Sequence, residues 1–187
     1  MKTVIKMLIT LSLIGVVSGG LLSEISKWAE PKIEMHRKAA TEQAIFLVQP
    51  DAKSYNKIEN LDFELYEVLD ENNNRIGYAL PYEGNGFQGK IRLMFGIKSD
   101  LKEIVGLEVL EQVETPGLGT KITEEPFTSQ FVNLIAEPKI EWVKGVAPSS
   151  DNEIQAITGA TISSKALVEI INAGLTKLRS VENGGNL

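Results

Sequence analysis

Between Met7 and Leu22 the chain carries no charged side chain, and this run decides what its first segment can become. Extended back to Val4 it covers roughly 19 residues, close to the ~20 that an α-helix needs to cross the hydrocarbon core of a bilayer. Lys2 and Lys6 precede it and Trp28 follows at interface depth. Basic residues stay on the cytoplasmic side, so the N-terminus is expected inside and everything after the anchor outside. A cleaved signal peptide is the competing reading, with Val17-Ser18-Gly19 as a small-residue cleavage site. The length of the run and the lack of an Ala-x-Ala ending favour a retained anchor. The expected organisation is a membrane anchor over 1–28 and one extracytoplasmic domain over 29–187, in a bacterial cytoplasmic membrane.

The composition narrows the chemistry. Taking Lys2, Lys6 and Glu24 from totals of 19 basic and 25 acidic residues leaves 17 and 24, a net charge of −7. Nucleic acid, which calls for a basic stripe, is not an expected partner. There is no cysteine, which excludes disulfides, iron–sulfur clusters, thiol catalysis and a lipoprotein anchor. The single histidine, His36, cannot build a two-His metal or haem site. No metal site is expected, and any redox role rests on an organic cofactor.

Beyond the anchor, Ile33 to Val48 has helical spacing and Pro50 closes it. Phe63 to Leu69, a turn at Asp70–Asn74 and Ile76 to Leu80 predict one hairpin. Ile91 to Ile97, a turn at Ser99-Asp100 and Ile104 to Val113 predict a second. Phe127 to Ile135 is expected as a short helix after Pro126, and Ile140 to Val143 as a strand. Leu167, Ile170, Ile171, Leu175 and Leu178 mark a last helix from about Ser163 to Arg179, followed by a frayed tail at Gly184-Gly185-Asn186. Antiparallel hairpins flanked by helices make this an α+β domain.

Gly84-Asn85-Gly86-Phe87-Gln88-Gly89 fits the G-x-G-x-x-G pattern of dinucleotide sites. That pattern works only where a helix follows, because the helix N-terminus holds the pyrophosphate. Here Lys90 to Phe95 alternates like a strand, so the segment reads strand–loop–strand and a Rossmann site is rejected.

Two other blocks carry more. Thr158-Gly159-Ala160-Thr161 stands just before the last helix, followed by Ile162-Ser163-Ser164. Small residues leave the Thr161 hydroxyl uncrowded, and the unpaired N–H groups of a helix start favour a phosphate beside it. A plain helix cap is the other reading of the same residues. Glu114-Thr115-Pro116-Gly117-Leu118-Gly119 follows a strand and makes either a ligand lip or a simple turn.

The glycine loop, the E-T-P-G-L-G loop and the T-G-A-T block, in this order behind a single anchor, resemble the FMN-binding subunits of two respiratory complexes. These are the G subunit of the Rnf ferredoxin:NAD oxidoreductase, the closer likeness, and the C subunit of the sodium-translocating NADH:quinone reductase. The resemblance implies FMN joined by a phosphoester to Thr161, put there by a separate flavin transferase. It places Thr158, Gly159, Ala160, Ser163 and Ser164 around the attachment point, with Lys165 screening the phosphate. Glu114, Thr115, Gly117, Leu118 and Gly119 are implied to lie against the ring. One position departs from the pattern: family members often have Asp three residues before the block, where this chain has Gln155. The implied role is electron carriage within an ion-translocating complex, among other membrane subunits and lipid, with no stand-alone catalytic constellation. A flavin-free, membrane-tethered interaction domain is the alternative from a different class.

Overall fold

A computed structural model describes residues 1–185, so the tail expected at Gly184–Asn186 runs past the described residues at Asn186. The chain forms two compact units, Met1–Ala40 and the residues from Thr41 onward. Helix α1 (Lys2–Val48) continues without interruption from the apolar run into the segment expected as a separate helix. Pro31 lies inside it; its missing N–H removes one bond from the ladder, and the flanking turns carry the helix through. The apolar window, of mean hydropathy 2.0, is long and apolar enough to cross a membrane, and none of it is buried. His36 is exposed.

Six strands follow in a sheet whose spatial order is the chain order. They are β1 (Ser54–Lys57), β2 (Tyr66–Leu69), β3 (Arg75–Asn85), β4 (Lys90–Lys98), β5 (Glu103–Glu111) and β6 (Leu134–Ile135), and every pairing is antiparallel. A second, two-stranded ladder pairs β7 (Glu141–Lys144) with β8 (Glu153–Ala156) in parallel. The last helix, α3 (Thr161–Asn183), is longer at both ends than its periodicity predicts. Both expected hairpins form, and the strand–loop–strand reading of Gly84–Gly89 holds, with Asn85 paired to Lys90.

One element differs in kind. The helix expected over 127–135 is a single turn, α2 (Glu125–Thr128), then a 3-10 turn at Ser129–Phe131 and strand β6. Asn133 adopts φ 60°, which ends the helical path, and its N–H donates to the Ile104 carbonyl (2.9 Å), docking the chain onto β5. β1 carries no apolar alternation, and β8 alternates as Glu-Ile-Gln-Ala over only four residues, too short a run for the sequence to announce it.

The central strands are buried on both faces. Tyr78, Leu80, Leu93, Phe95 and Ile97 point to one side, where Leu167, Ile171, Leu175 and Leu178 of α3 cover them. Trp142 packs partly buried against this side, as core rather than as a free wall. Ala79 and Met94 point to the other side, toward Ala44, Ile45 and Val48 from the end of α1. Tyr66 shares that second face, and burial pushes its phenol up to about 12, so it packs as a neutral ring. Contact there is backbone on backbone: a Cβ on Gly96 would stand 2.2 Å from the Val48 carbonyl oxygen.

Gln49, just past the helix, is buried and donates its amide to the Tyr78 and Ile97 carbonyls, both at 3.0 Å. Removing that amide orphans two buried acceptors, at about 1–3 kcal/mol each. Gln49→Ala is therefore expected to lower the unfolding free energy of the full chain by a few kcal/mol. Urea titration in detergent, followed by Trp142 fluorescence, measures it; an unshifted midpoint would mean that this joint carries no load.

Candidate functional site

The turn that leads into α3 is built by its own backbone and one serine. After β8 the chain bends through Gly159 at φ +87°, a conformation that a Cβ would strain, and the Ala160 N–H bonds the Ile157 carbonyl at 3.0 Å. Ser164, fully buried, accepts from the Ile157 N–H (3.1 Å) and donates to the Ala160 carbonyl (3.0 Å). Its hydroxyl is thus spent on the turn. The capping position belongs to Ala160, and no side chain caps the helix. The first-turn N–H groups are left without the usual capping acceptor. Thr161 is half-buried there, and among the described residues nothing hydrogen-bonds its hydroxyl.

A buried carboxylate joins the three sequence blocks. Glu114 is only 3% exposed. One of its oxygens accepts from the Ser163 hydroxyl in the first turn of α3, and the other accepts the backbone N–H of Gln88 in the glycine loop, at 3.0 Å. Gly119 lies against it; a Cβ there would meet Glu114 Cβ at 2.7 Å and Ser163 Oγ at 2.9 Å. Gln88 closes the arrangement by donating its side-chain amide to Thr115 Oγ1 (2.9 Å). Residues 26 and 49 positions away from Glu114 are thereby held in one frame.

Over this frame opens a cleft of about 470 Å³, within the roughly 300–1,000 Å³ of small-molecule sites. One wall is Thr158, Gly159, Ala160, Thr161 and Ser163; another is Thr115, Leu118 and Gly119. Of the residues singled out from sequence, these eight line the cleft. Glu114, Ser164 and Gly117 do not: the first two are consumed in internal bonds. Gly117 sits exposed at the outer bend of its loop, where its N–H donates to Thr120 Oγ1 (2.9 Å). Lys165 is also absent from the lining and pairs with Glu169 at 3.4 Å along the helix.

Three further residues complete the lining: Phe87, Ile162 and Lys144. Phe87 occupies the glycine loop that the G-x-G-x-x-G pattern singles out, so a signal for it existed. Ile162 breaks the buried pattern of α3 by being exposed. Lys144 has no signal in the sequence, because it reaches the cleft only through the parallel pairing of β7 with β8, which sets it opposite Ala156.

These walls suit FMN. Phe87, Leu118 and Ile162 are exposed apolar side chains, 61%, 48% and 58% accessible, around a cleft without any carboxylate among its lining residues. That is a surface for a flat apolar ring. An uncapped helix start with a free hydroxyl is chemically suited to a phosphate. Among the described residues no group of acids and histidines is placed to hold a metal ion.

Comparison with known proteins agrees with this geometry. Residues 86–176 match the family model of the FMN-binding domain. The G subunit of the ion-translocating oxidoreductase complex of Methanosarcina acetivorans is 27% identical over 97% of this chain and 97% of its own length. The G subunit of the Na(+)-translocating ferredoxin:NAD(+) oxidoreductase complex of Acetobacterium woodii is 36% identical over 60% of this chain and 55% of its own. For the C subunit of the Na(+)-translocating NADH-quinone reductase of Vibrio vulnificus the identity is 34%, over 47% of this chain and 37% of that one. In fold, the chain is similar to NqrC of Shewanella oneidensis, with a TM-score of 0.54 at 19% identity over 71% of this chain and 74% of that one.

The frame predicts a local effect. Glu114→Ala leaves the Gln88 N–H and the Ser163 hydroxyl without their acceptor, a loss of about 1.5–3 kcal/mol for bonds to a charged group. Amide hydrogen exchange is expected to accelerate at 86–89 and 161–164 while the central amides of β4 stay protected. Uniform acceleration, or none, would show that the carboxylate does not hold these segments together.

Proposed function

We propose that this chain, an FMN-binding-domain protein related to the G subunits of ion-translocating oxidoreductase complexes, is the membrane-anchored electron carrier of such a complex, with FMN esterified through its phosphate to Thr161. The observation that carries the reading is the uncapped start of α3, where an unengaged threonine hydroxyl faces a carboxylate-free cleft. A flavin transferase supplies the group, and the other membrane subunits of the complex are its partners. Bound there, the flavin supplies reversible electron transfer. The chain's own residues would hold it: the first-turn N–H groups of α3 would bind the phosphate, and Phe87, Leu118 and Ile162 would shield the ring from water. Thr115 keeps its hydroxyl proton free to donate, since its oxygen already accepts from Gln88.

The G-type assignment is preferred over the quinone-reductase C type on length. This chain and the Methanosarcina protein cover 97% of each other, whereas it spans 37% of the Vibrio protein. For the attachment, the experiment is intact-mass and peptide mapping of protein made alongside a flavin transferase. Wild type is expected to carry one FMN on Thr161, with visible flavin absorbance that survives denaturation, and Thr161→Ala none. Covalent flavin retained by the Ala variant would place the site elsewhere. A colourless wild type would favour the flavin-free tethered domain.

The apolar part of α1 is proposed as a retained anchor in the cytoplasmic membrane, with the residues after it outside, on the strength of Lys2 and Lys6 before the run and Trp28 after it. Protease added to spheroplasts is expected to digest the FMN-binding domain while a cytoplasmic marker survives. Complete protection would reverse the orientation.

A further inference from the structure

We propose that Lys144 is the cation that pairs with the FMN phosphate, an inference that rests on the FMN reading above. The folded domain is acidic, and its lysines are almost all engaged. Lys53, Lys90, Lys98, Lys102, Lys139, Lys165 and Lys177 each pair with a carboxylate. Among the described residues from Thr41 onward, only Lys57, Lys121 and Lys144 have no such partner. Lys144 is also the one charged residue in the lining of the cleft. Lys144 is exposed, and an unpaired ammonium beside a cleft without carboxylates draws an anion to it.

Position separates the phosphate from the ring as that anion. β7 and β8 run parallel with Lys144 opposite Ala156, the last strand residue before the turn that carries Thr158 to Thr161. Lys144 is thus set by its strand pairing beside the segment that leads to Thr161, and it shares the lining of the cleft with Thr158 to Ser163. Gly145 follows at φ +71° and turns the chain away immediately after the lysine. Lys165, the neighbour in sequence, is held along α3 by Glu169 and does not line the cleft. A phosphodiester on Thr161 retains one negative charge, which the uncapped N–H groups of α3 and the Lys144 ammonium would share.

The test uses the full chain in detergent, prepared with and without a flavin transferase. Amine acylation read by peptide mass spectrometry is expected to slow several-fold at Lys144 when flavin is attached, with Lys57 unchanged as the internal reference. Equal labelling of Lys144 in the two preparations overturns the proposal. In the flavinylated protein, Lys144→Gln is expected to move the phosphorus resonance of the phosphodiester, and Lys144→Arg to return it toward wild type. Lys121→Gln, which removes the unpaired lysine of the neighbouring groove, is expected to leave it in place. A resonance that ignores Lys144→Gln, or that moves only with Lys121→Gln, assigns the charge elsewhere. Protection of Lys144 with an unmoved phosphorus signal and a lowered flavin midpoint potential would put the lysine at the ring, against the proposal. Flavin missing from wild type itself would overturn the FMN reading instead, a distinct result.

Discussion

The domain is organised by burial of its central strands on both faces. A sheet with one solvated face can be completed by a single helix, but β3 and β4 put Leu80 and Phe95 on one side and Ala79 and Met94 on the other. Neither side can meet water without losing about 25 cal/mol for each Å² of apolar surface left uncovered. Two helices from opposite ends of the chain are therefore needed, and the sheet cannot be finished until both termini of the domain are in place. α3 is drawn to its face by this demand. Its N-terminus, and Thr161 with it, is fixed beside the β3–β4 turn as a result. The position of the cleft follows from the packing beneath it.

The buried Glu114 carboxylate then sets the detail. Loops that carry function are ordinarily the soft part of a domain, yet here two loops and a helix start share one acceptor group. Burying a carboxylate is unfavourable unless its charge is met by donors, and the Ser163 hydroxyl and the Gln88 N–H meet it. Removing any one donor weakens the case for keeping the others in place, so the three segments are expected to order together. A site assembled in this way presents its walls before anything binds, which lowers the ordering cost of binding.

Much of this is legible in the sequence, and the exceptions have physical causes. The hairpins and α3 announce themselves because their apolar residues keep a period: Ile91 to Ile97 alternates, and Leu167, Ile171, Leu175 and Leu178 follow helical spacing. β1 does not, since Ser54 to Lys57 offers one apolar residue at the edge of the sheet, and β8 alternates over only four residues, too few to stand out. The segment 127–135 misleads because Phe127, Phe131 and Leu134 have helical spacing while serving a helical turn, a 3-10 turn and a strand. For the site, T-G-A-T and E-T-P-G-L-G are recognisable as blocks, but roles inside them depend on which way a side chain turns. Glu114 and Ser164 face inward and bond protein, whereas Thr161 faces the cleft. Lys144 was beyond reach of sequence reasoning, because nothing local in Glu141–Lys144 says that this strand pairs in parallel with one that follows it.

The last turns of α1 are core and not merely the end of the apolar helix. Ala44, Ile45 and Val48 cover one face of the sheet, and Gly96 admits the Val48 backbone so closely that no larger residue fits. A version cut at the end of the helix, or a protease that clips there, would remove a structural layer along with the apolar run. Such a fragment exposes Ala79, Met94 and Val68 together as a greasy face and becomes prone to self-association. The usable cut lies before Thr41, and the dividing line between the apolar run and the fold lies inside a continuous helix.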